Sequence, residues 1–174
     1  MKNIEFKTRV SSFRRIVRLL NENGARREGV SRQVDTYFRC PSGRLKLRVI
    51  DGRESVLIGY HRPARRRSRT STYRLMPLSK PESVDLASML TSALGILTTV
   101  RKTRVLWLYE RTRIHLDTVA ALGRFVELET VVGDTTIARA RREHQQVLSI
   151  LDLENATPIT GSYSDLMLDG RGAM

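Results

Sequence analysis

Charged side chains recur at every second position along several short segments of the chain, with aliphatic side chains between them. Successive side chains of a β-strand point to opposite sides, so this alternation gathers the charges of a strand on one face. One such face is basic and carries Arg44, Lys46 and Arg48, whereas another is acidic and carries Glu127 and Glu129. Arginine and lysine bind phosphate oxygens, and carboxylates bind hard divalent cations. The two sets together are the donors that a metal–polyphosphate complex requires.

Other charged residues extend these two groups. In the segment 111–117, one face carries Arg111, Arg113, His115 and Asp117, and the other carries Thr112, Ile114 and Leu116. A carboxylate-rich group comprises Glu5, Asp117, Glu127 and Glu129. A purely basic group comprises Lys46, Arg48, Arg62, Lys102 and Arg104.

The segments that would position these side chains are mostly short strands, with three helices among them. Period-2 patterns predict strands at residues 3–9, 33–39, 44–50, 55–62, 71–76, 105–110, 111–117 and 124–132. Helical patterns predict a helix that ends at Gly24, a second from Pro81 to Gly95, and a third from Asp134 to about Leu151. The second of these helices is expected to bury Leu86, Met89, Leu90 and Leu94.

Two architectures satisfy these patterns, and the period alone does not separate them. In the first, an open sheet packs its apolar side on the helices and leaves its charged side in solvent. In the second, the sheet closes into a barrel, with the charges inside and the aliphatic side chains outside under the helices. Buried charges need partners, so such an interior is favourable when it holds water, divalent cations and a polyanion.

The overall composition favours a phosphate-bearing partner. The 174 residues carry a net charge of +13, and residues 1–80 hold 21 basic and 6 acidic side chains, against 10 and 12 in residues 81–174. Arginine matches phosphate with two parallel hydrogen bonds, although arginine-rich codon usage is an alternative source of the arginines in loops. The single Cys40 excludes an internal disulfide, and no stretch is long and apolar enough to span a bilayer. With no apolar segment after Met1, we expect a cytoplasmic protein.

An ordered series of motifs resembles one known family. The series begins with Asn-Ile-Glu-Phe-Lys at residues 3–7 and continues with Asp-Thr-Tyr-Phe at 35–38 and Gly-Arg-Leu-Lys-Leu-Arg at 43–48. It proceeds through Tyr-His-Arg-Pro at 60–63, Arg-Lys-Thr-Arg at 101–104 and Arg-Ile-His-Leu-Asp at 113–117 to Phe-Val-Glu-Leu-Glu at 125–129. These motifs resemble the CYTH superfamily, the triphosphate tunnel metalloenzymes, and most of all its class IV adenylyl cyclase-like members.

The resemblance implies an α+β fold, an eight-stranded antiparallel β-barrel closed into a tunnel and flanked by helices. It implies one domain over residues 1–168 and a flexible tail at 169–174. It implies Mg²⁺ or Mn²⁺ bound by Glu5, Asp117, Glu127 and Glu129. It implies substrate binding by Lys7, Lys46, Arg48, Arg62, Lys102, Arg104, Arg113 and His115, with Lys7 and Glu129 in the catalytic roles.

Two positions depart from the family pattern. Asn3 stands where the first strand has its first glutamate, and Thr72 stands where an acidic residue is expected. Both departures make the site more positive, which favours anion capture over catalysis with two metals.

The leading interpretation is a class IV adenylyl cyclase that converts ATP to 3′,5′-cyclic AMP and pyrophosphate. A triphosphatase acting on inorganic triphosphate, thiamine triphosphate or a nucleoside triphosphate is the alternative among enzymes. A non-catalytic module that binds polyphosphate or nucleic acid is the alternative from another class, and the basic loop at residues 62–69 favours it. Aromatic residues make up only 6% of the chain and form no stacking platform, so we expect no nucleic-acid partner. Family members often dimerise, and residues 105–108 would supply the face of a homodimer.

Overall fold

The computed structural model describes residues 3–61 and 72–170, except for the side chains of His61, Thr72 and Tyr73. The strands are β1 (Asn3–Val10), β2 (Arg26–Phe38), β3 (Arg44–Ile50), β4 (Glu54–His61), β5 (Thr72–Leu78), β6 (Ile96–Tyr109), β7 (Thr112–Val119) and β8 (Gly123–Val131). The helices are α1 (Arg14–Glu22), α2 (Lys80–Leu94), α3 (Ile137–Ile150) and α4 (Tyr163–Asp169). None of the helices within these ranges is both long and apolar enough to cross a membrane.

The eight strands form one antiparallel sheet in the order β1-β8-β7-β6-β2-β3-β4-β5. Their alternation separates two faces, as expected. On one face, α1 and α3 cover aliphatic side chains of the sheet, and the resulting core includes Ile16, Leu20, Trp107, Ile114 and Leu128. The opposite face carries the charged residues. Trp107 is 5% exposed and belongs to this core, so it is not a base-stacking residue.

The prediction of a closed barrel is wrong, because the sheet is open. β1 and β5 each pair with a single neighbour, and the described strands show no pairing of β1 with β5. The outer edge of β1 is taken by the segment that precedes α4: the amide of Ile159 donates to the carbonyl of Lys7 at 2.7 Å, and the hydroxyl of Thr8 donates to the carbonyl of Thr157 at 2.9 Å. At the other edge, β5 contains Pro77, which has no amide hydrogen to donate to a further strand.

Although it is open, the sheet curves strongly. One cavity, described below, is lined by side chains from all eight strands. The charged face is therefore concave and partly enclosed, a geometry between the two architectures that the sequence left open.

Two helices begin at well-formed caps. At α2, the hydroxyl of Ser79 accepts from the amide of Glu82, and the Glu82 carboxylate accepts from the amide of Ser79. At α4, Ser162 and Asp165 form the same reciprocal pair, so this short helix begins at a fixed position beside the sheet. The expected burial of Met89 in α2 is wrong, because 67% of its surface is exposed.

Candidate active site

The concave face of the sheet encloses a cavity of about 500 Å³. Its volume lies within the range of sites for small molecules. The cavity is open to solvent on one side, and Ser162 and Tyr163 at the start of α4 lie at its border. Its wall contains the following ionisable residues: Glu5, Lys7, Asp35, Lys46, Arg48, Lys102, Arg104, Arg113, Glu127 and Glu129.

Two carboxylates and one imidazole meet at the β7–β8 side of the cavity. His115, Glu127 and Glu129 each offer one ligand atom, and these atoms lie within 4.8 Å of one another. The sheet register produces this grouping, because His115 lies directly opposite Glu127 and Glu5 lies directly opposite Glu129. The family resemblance implied that all three glutamates are metal ligands and that His115 contacts the substrate. The structure adds the imidazole to the acidic group.

Glu127 lies at the centre of an ion-pair network. Its Oε1 is 2.9 Å from Nζ of Lys7, and its Oε2 accepts from Nη2 of Arg104 at 2.8 Å and lies 3.5 Å from Nδ1 of His115. Burial opposes the ionisation of this carboxyl, but Lys7, His115 and Arg104 together hold its pKa well below the usual range. Glu127 is therefore a carboxylate at neutral pH, which a metal ligand must be.

Asp117 is placed differently from the other predicted metal ligands. Its side chain is fully buried, and Arg104 donates to both of its oxygens, from Nε at 2.7 Å and from Nη2 at 2.6 Å. The hydroxyl of Tyr163 donates to Oδ2 at 2.8 Å, and Nζ of Lys102 lies 3.8 Å from the same oxygen. Burial opposes ionisation, but Arg104 lowers the pKa of Asp117. The structure thus places Asp117 behind Arg104, outside the group of His115, Glu127 and Glu129.

A second buried aspartate, Asp35, was not among the predicted site residues. It is 2% exposed and lies directly opposite Arg48 in the pairing of β2 with β3. Arg48 donates to both of its oxygens, from Nε at 2.6 Å and from Nη2 at 2.7 Å, and Lys46 donates to Oδ2 at 2.9 Å. Burial opposes ionisation here too, but Lys46 and Arg48 hold the pKa of Asp35 far below its usual range.

One signal in the sequence would have indicated Asp35. Gln33, Asp35 and Tyr37 alternate with Val34 and Thr36, so an acid stands among polar residues on one face of β2. The signal was missed because the sequence does not show which strand lies beside β2.

Lys102 lies close to several other cations. Its side chain is only 3% exposed, and Arg104 lies two residues further along the same face of β6. Burial and the charge of Arg104 lower its pKa to about 7, although Asp117 acts in the opposite direction. At physiological pH this amine is close to the midpoint of its titration.

Of the remaining predicted residues, some line the cavity and others lie outside the described residues. Arg113 forms an ion pair with Glu129, with Nη2 at 3.0 Å from Oε2, and Asn3 lines the cavity beside Glu5. Arg62 and the basic loop at 62–69 lie outside the described residues, as does the side chain of Thr72.

The ammonium groups of two cavity lysines lie over the ring of Tyr163. Nζ of Lys7 lies 4.3 Å from the ring centroid and Nζ of Lys102 lies 5.2 Å from it. Burial together with the charges of Glu127 and Asp117 raises the pKa of Tyr163, so its hydroxyl keeps its proton and remains a donor. The ring contributes cation–π attraction while it holds both ammonium groups at the cavity wall.

α4 is anchored to the sheet at the same end. Nη1 of Arg44 donates to the hydroxyls of Ser162 and Ser164 at 2.9 and 3.0 Å, and Nη2 donates to Asp165 at 2.5 Å. These bonds hold Tyr163 in place beside the cavity.

One part of the cavity wall is apolar. It is formed by Ile58 and Tyr60 of β4 and Leu75 of β5, at the opposite end of the sheet from the acidic group. Leu75 is 64% exposed, so it presents apolar surface to solvent at this end of the cavity. This wall offers a contact surface for an uncharged organic group.

The donor set of the acidic group fits a divalent cation. Carboxylate oxygens are the ligands that Mg²⁺ and Mn²⁺ prefer, and an imidazole suits transition metals better than Mg²⁺. His115, Glu127 and Glu129 would hold such an ion, with Glu5 facing Glu129 across the register.

The concave face of this curved antiparallel sheet combines carboxylates and an imidazole with clustered arginines and lysines, the donors that a metal–polyphosphate complex requires. The chain belongs to the CYTH family, because the model of the CYTH domain matches residues 1–163. The resemblance inferred from the motifs is thereby confirmed. The family binds triphosphate substrates, and its enzymes depend on divalent metals. No curated protein gives a match to the sequence.

Solved structures share this fold at low sequence identity. The PH1012 protein of Pyrococcus horikoshii OT3 is 23% identical, with a TM-score of 0.81 over 94% of this chain and 98% of that one. A Vibrio parahaemolyticus protein described provisionally as an adenylate cyclase is 13% identical, with a TM-score of 0.71 over 97% and 98%. HpAC1 of Hippeastrum, described by its dominant triphosphatase activity, is 15% identical, with a TM-score of 0.71 over 97% and 96%. These likenesses show the fold.

Proposed function

We propose that this protein is a divalent-metal-dependent enzyme that cleaves the phosphate chain of an organic triphosphate, with ATP cyclisation of the class IV type as its reaction. The observation that carries the proposal is the meeting of His115, Glu127 and Glu129 within 4.8 Å, where the two glutamates line the same cavity as the basic residues. A divalent cation bound by these ligands would supply the metal on which the enzymes of this family depend.

The phosphate chain would lie against six cations. Within the described residues these are Lys7, Lys46, Arg48, Lys102, Arg104 and Arg113. They come from four different strands, so they converge on the chain from several directions and fix its orientation. Catalysis of phosphoryl transfer depends mainly on such positioning and on charge stabilisation.

The metal site would be formed by Glu127, Glu129 and His115, assisted by Glu5. A cation bound there would supply Lewis-acid polarisation of a phosphoryl oxygen. In the protein without ligand, Lys7 and Arg104 form ion pairs with Glu127, and Arg113 forms one with Glu129, so both side chains are already placed. Lys7 lies between this group and Tyr163, where it can contact a phosphate oxygen.

The apolar wall supports an organic substrate over inorganic triphosphate. Inorganic triphosphate has no group to cover Ile58, Tyr60 and Leu75, whereas a nucleoside has both a ring and a sugar. A substrate that covers the exposed part of Leu75 would remove apolar surface from water, which stabilises the complex.

Product analysis tests the proposal. Purified protein is incubated with ATP and Mg²⁺ or Mn²⁺, and the products are separated by chromatography. Cyclic AMP and pyrophosphate in equal amounts are expected. Orthophosphate without a cyclic nucleotide would show that the reaction is hydrolysis and not cyclisation. The proposal would be overturned if ATP, inorganic triphosphate and thiamine triphosphate all gave no metal-dependent product.

Substitution of the apolar wall provides a second test. Ile58→Ala is expected to raise KM for ATP several-fold and to leave the affinity for inorganic triphosphate unchanged. Val84→Ala on the exposed face of α2, where Val84 is 62% exposed, is the matched control. Equal effects of Ile58→Ala on both ligands would remove the argument for an organic substrate.

A further inference from the structure

The cavity contains two arrangements of charged residues that repeat each other. On β3, Lys46 and Arg48 lie on one face and share the buried Asp35 of β2. On β6, Lys102 and Arg104 lie on one face and share the buried Asp117 of β7. In each arrangement the aspartate lies directly opposite its arginine in the strand pairing. Since β2 and β6 are neighbours, the two arrangements lie side by side.

Each arginine binds its aspartate in the same way. Arg48 and Arg104 both donate to their aspartate from Nε and Nη2, so the guanidinium is held along one edge. A guanidinium has five donors in a fixed plane, and this mode of binding uses two of them. The Nη1 donors point away from the aspartate, and both arginines line the cavity.

Electrostatic attraction of the anion does not explain why a carboxylate occupies position 35. A buried carboxylate that lines an anion-binding cavity repels the anion, and its burial is costly in itself. Asp35 lies outside the group of His115, Glu127 and Glu129. Its contacts in the cavity are with Lys46 and Arg48, two long side chains that would otherwise adopt many rotamers.

We propose that Asp35 is a positioning residue for the phosphate chain: it fixes the guanidinium of Arg48 and the ammonium of Lys46 so that they meet the anion as one rigid unit. The proposal rests on the proposed function, because it assigns the anion to the same cavity. Preorganisation of this kind lowers the entropy that the two side chains lose when the anion binds. Asp35 thus favours anion binding although its own charge opposes it.

The negative charge of Asp35 and its positioning of Lys46 and Arg48 predict opposite results for Asp35→Asn. This substitution removes one negative charge and keeps the size of the side chain. If charge alone mattered, inorganic triphosphate would bind more tightly, whereas loss of positioning makes it bind about tenfold more weakly. The measurement is calorimetric titration with inorganic triphosphate in the absence of metal. Asp152→Asn removes a carboxylate that is paired with Arg15 at an exposed site, and this control is expected to bind as the wild type does.

A second variant is informative even if Asp35→Asn does not fold. Arg48→Lys keeps Asp35 and the charge, but lysine cannot form two parallel bonds to a carboxylate. It is expected to lose a similar factor in affinity. The double variant is expected to lose less than the product of the two single factors, because the positioning of Arg48 is already lost in Arg48→Lys. Thermal melting of each variant verifies folding.

A third measurement needs no ligand. The Nε–H group of Arg48, assigned by its loss in Arg48→Lys, is expected to give a protected proton NMR signal in the wild type and none in Asp35→Asn. Unchanged or tighter binding by Asp35→Asn or Arg48→Lys, or a retained Nε–H signal, overturns the inference while the proposed function stands. Failure of the wild type itself to bind triphosphate overturns the proposed function instead, and this inference with it.

Discussion

Nζ of Lys7 lies 2.9 Å from Oε1 of Glu127, so a residue assigned to the phosphate chain is bonded to a residue assigned to the metal. The proposed metal ion and the proposed triphosphate therefore compete with the ion pair between Lys7 and Glu127, which the protein forms without them. A metal ion that binds Glu127 must displace Lys7, and an anion beside Lys7 would favour that displacement. Metal and triphosphate are thus expected to bind cooperatively.

Lys7→Met tests this competition. In the absence of triphosphate, the variant is expected to bind Mn²⁺ about tenfold more tightly than the wild type, because the ammonium no longer occupies Glu127. The same variant is expected to bind triphosphate more weakly. Titration of Mn²⁺ followed by electron paramagnetic resonance measures the first effect, with Lys80→Met on the exposed start of α2 as control. Unchanged Mn²⁺ affinity in Lys7→Met would show that Lys7 and the metal do not compete.

Glu129→Ala is expected to abolish metal-dependent turnover, with a loss of about 100-fold or more. The variant removes one ligand and also leaves Arg113 without its carboxylate partner. Initial rates at saturating ATP and Mn²⁺ measure the effect. Glu154→Ala changes an exposed carboxylate bonded to Gln145 and should retain full activity. Full activity in Glu129→Ala would show that the metal site lies elsewhere.

The titration of Lys102 predicts the pH dependence of anion binding. Its pKa is lowered to about 7, so the amine is charged below that pH and neutral above it. Triphosphate is therefore expected to bind less tightly as pH rises from 6 to 8, with proton uptake upon binding near pH 7.5. Calorimetry in two buffers of different ionisation enthalpy measures this uptake. Lys102→Arg keeps the charge over the whole range and should abolish the uptake; equal uptake in that variant would assign it to another group.

His144 predicts a pH dependence of stability that is independent of the cavity. His144 lies on the side of α3 that packs on β8. Its Nδ1 is hydrogen-bonded to the hydroxyl of Thr130 in β8 at 2.8 Å, and burial lowers the pKa of His144 to about 4. Between pH 4 and 6.5 the unfolded chain binds a proton that the folded protein does not, so stability rises with pH over this window. The contribution is about 2 kcal/mol.

Urea unfolding of the wild type and of His144→Asn between pH 4 and 7 measures the contribution. The difference between their free energies of unfolding is expected to change with pH, because asparagine can form the bond to Thr130 but does not titrate. Parallel pH profiles for the two proteins would show that the pKa of His144 is not lowered in the folded state.

Local alternation was sufficient to predict most of the cavity wall. The period-2 patterns around Lys46, Arg113 and Glu127 depend on nearest neighbours in the chain, so they assigned each side chain to the charged face without knowledge of the other strands. Lys102 lies outside the strand predicted at 105–110, and its role came from the family motifs. The order of the motifs was sufficient to identify the family. The same reasoning placed Met89 in the core and failed there, because a helical apolar position is buried only where another element packs on it.

Closure of the sheet and the pairing of charges could not be predicted in this way. Whether β1 and β5 pair depends on backbone hydrogen bonds between segments far apart in the chain, and the edge of β1 is instead bonded to Ile159. The role of Asp35 depends on its position opposite Arg48, and that of Asp117 on its position opposite Arg104. Periodicity assigns a residue to a face, but only the arrangement of the strands decides which charges meet, because Coulomb attraction and hydrogen bonds act over a few ångströms in space and not along the chain.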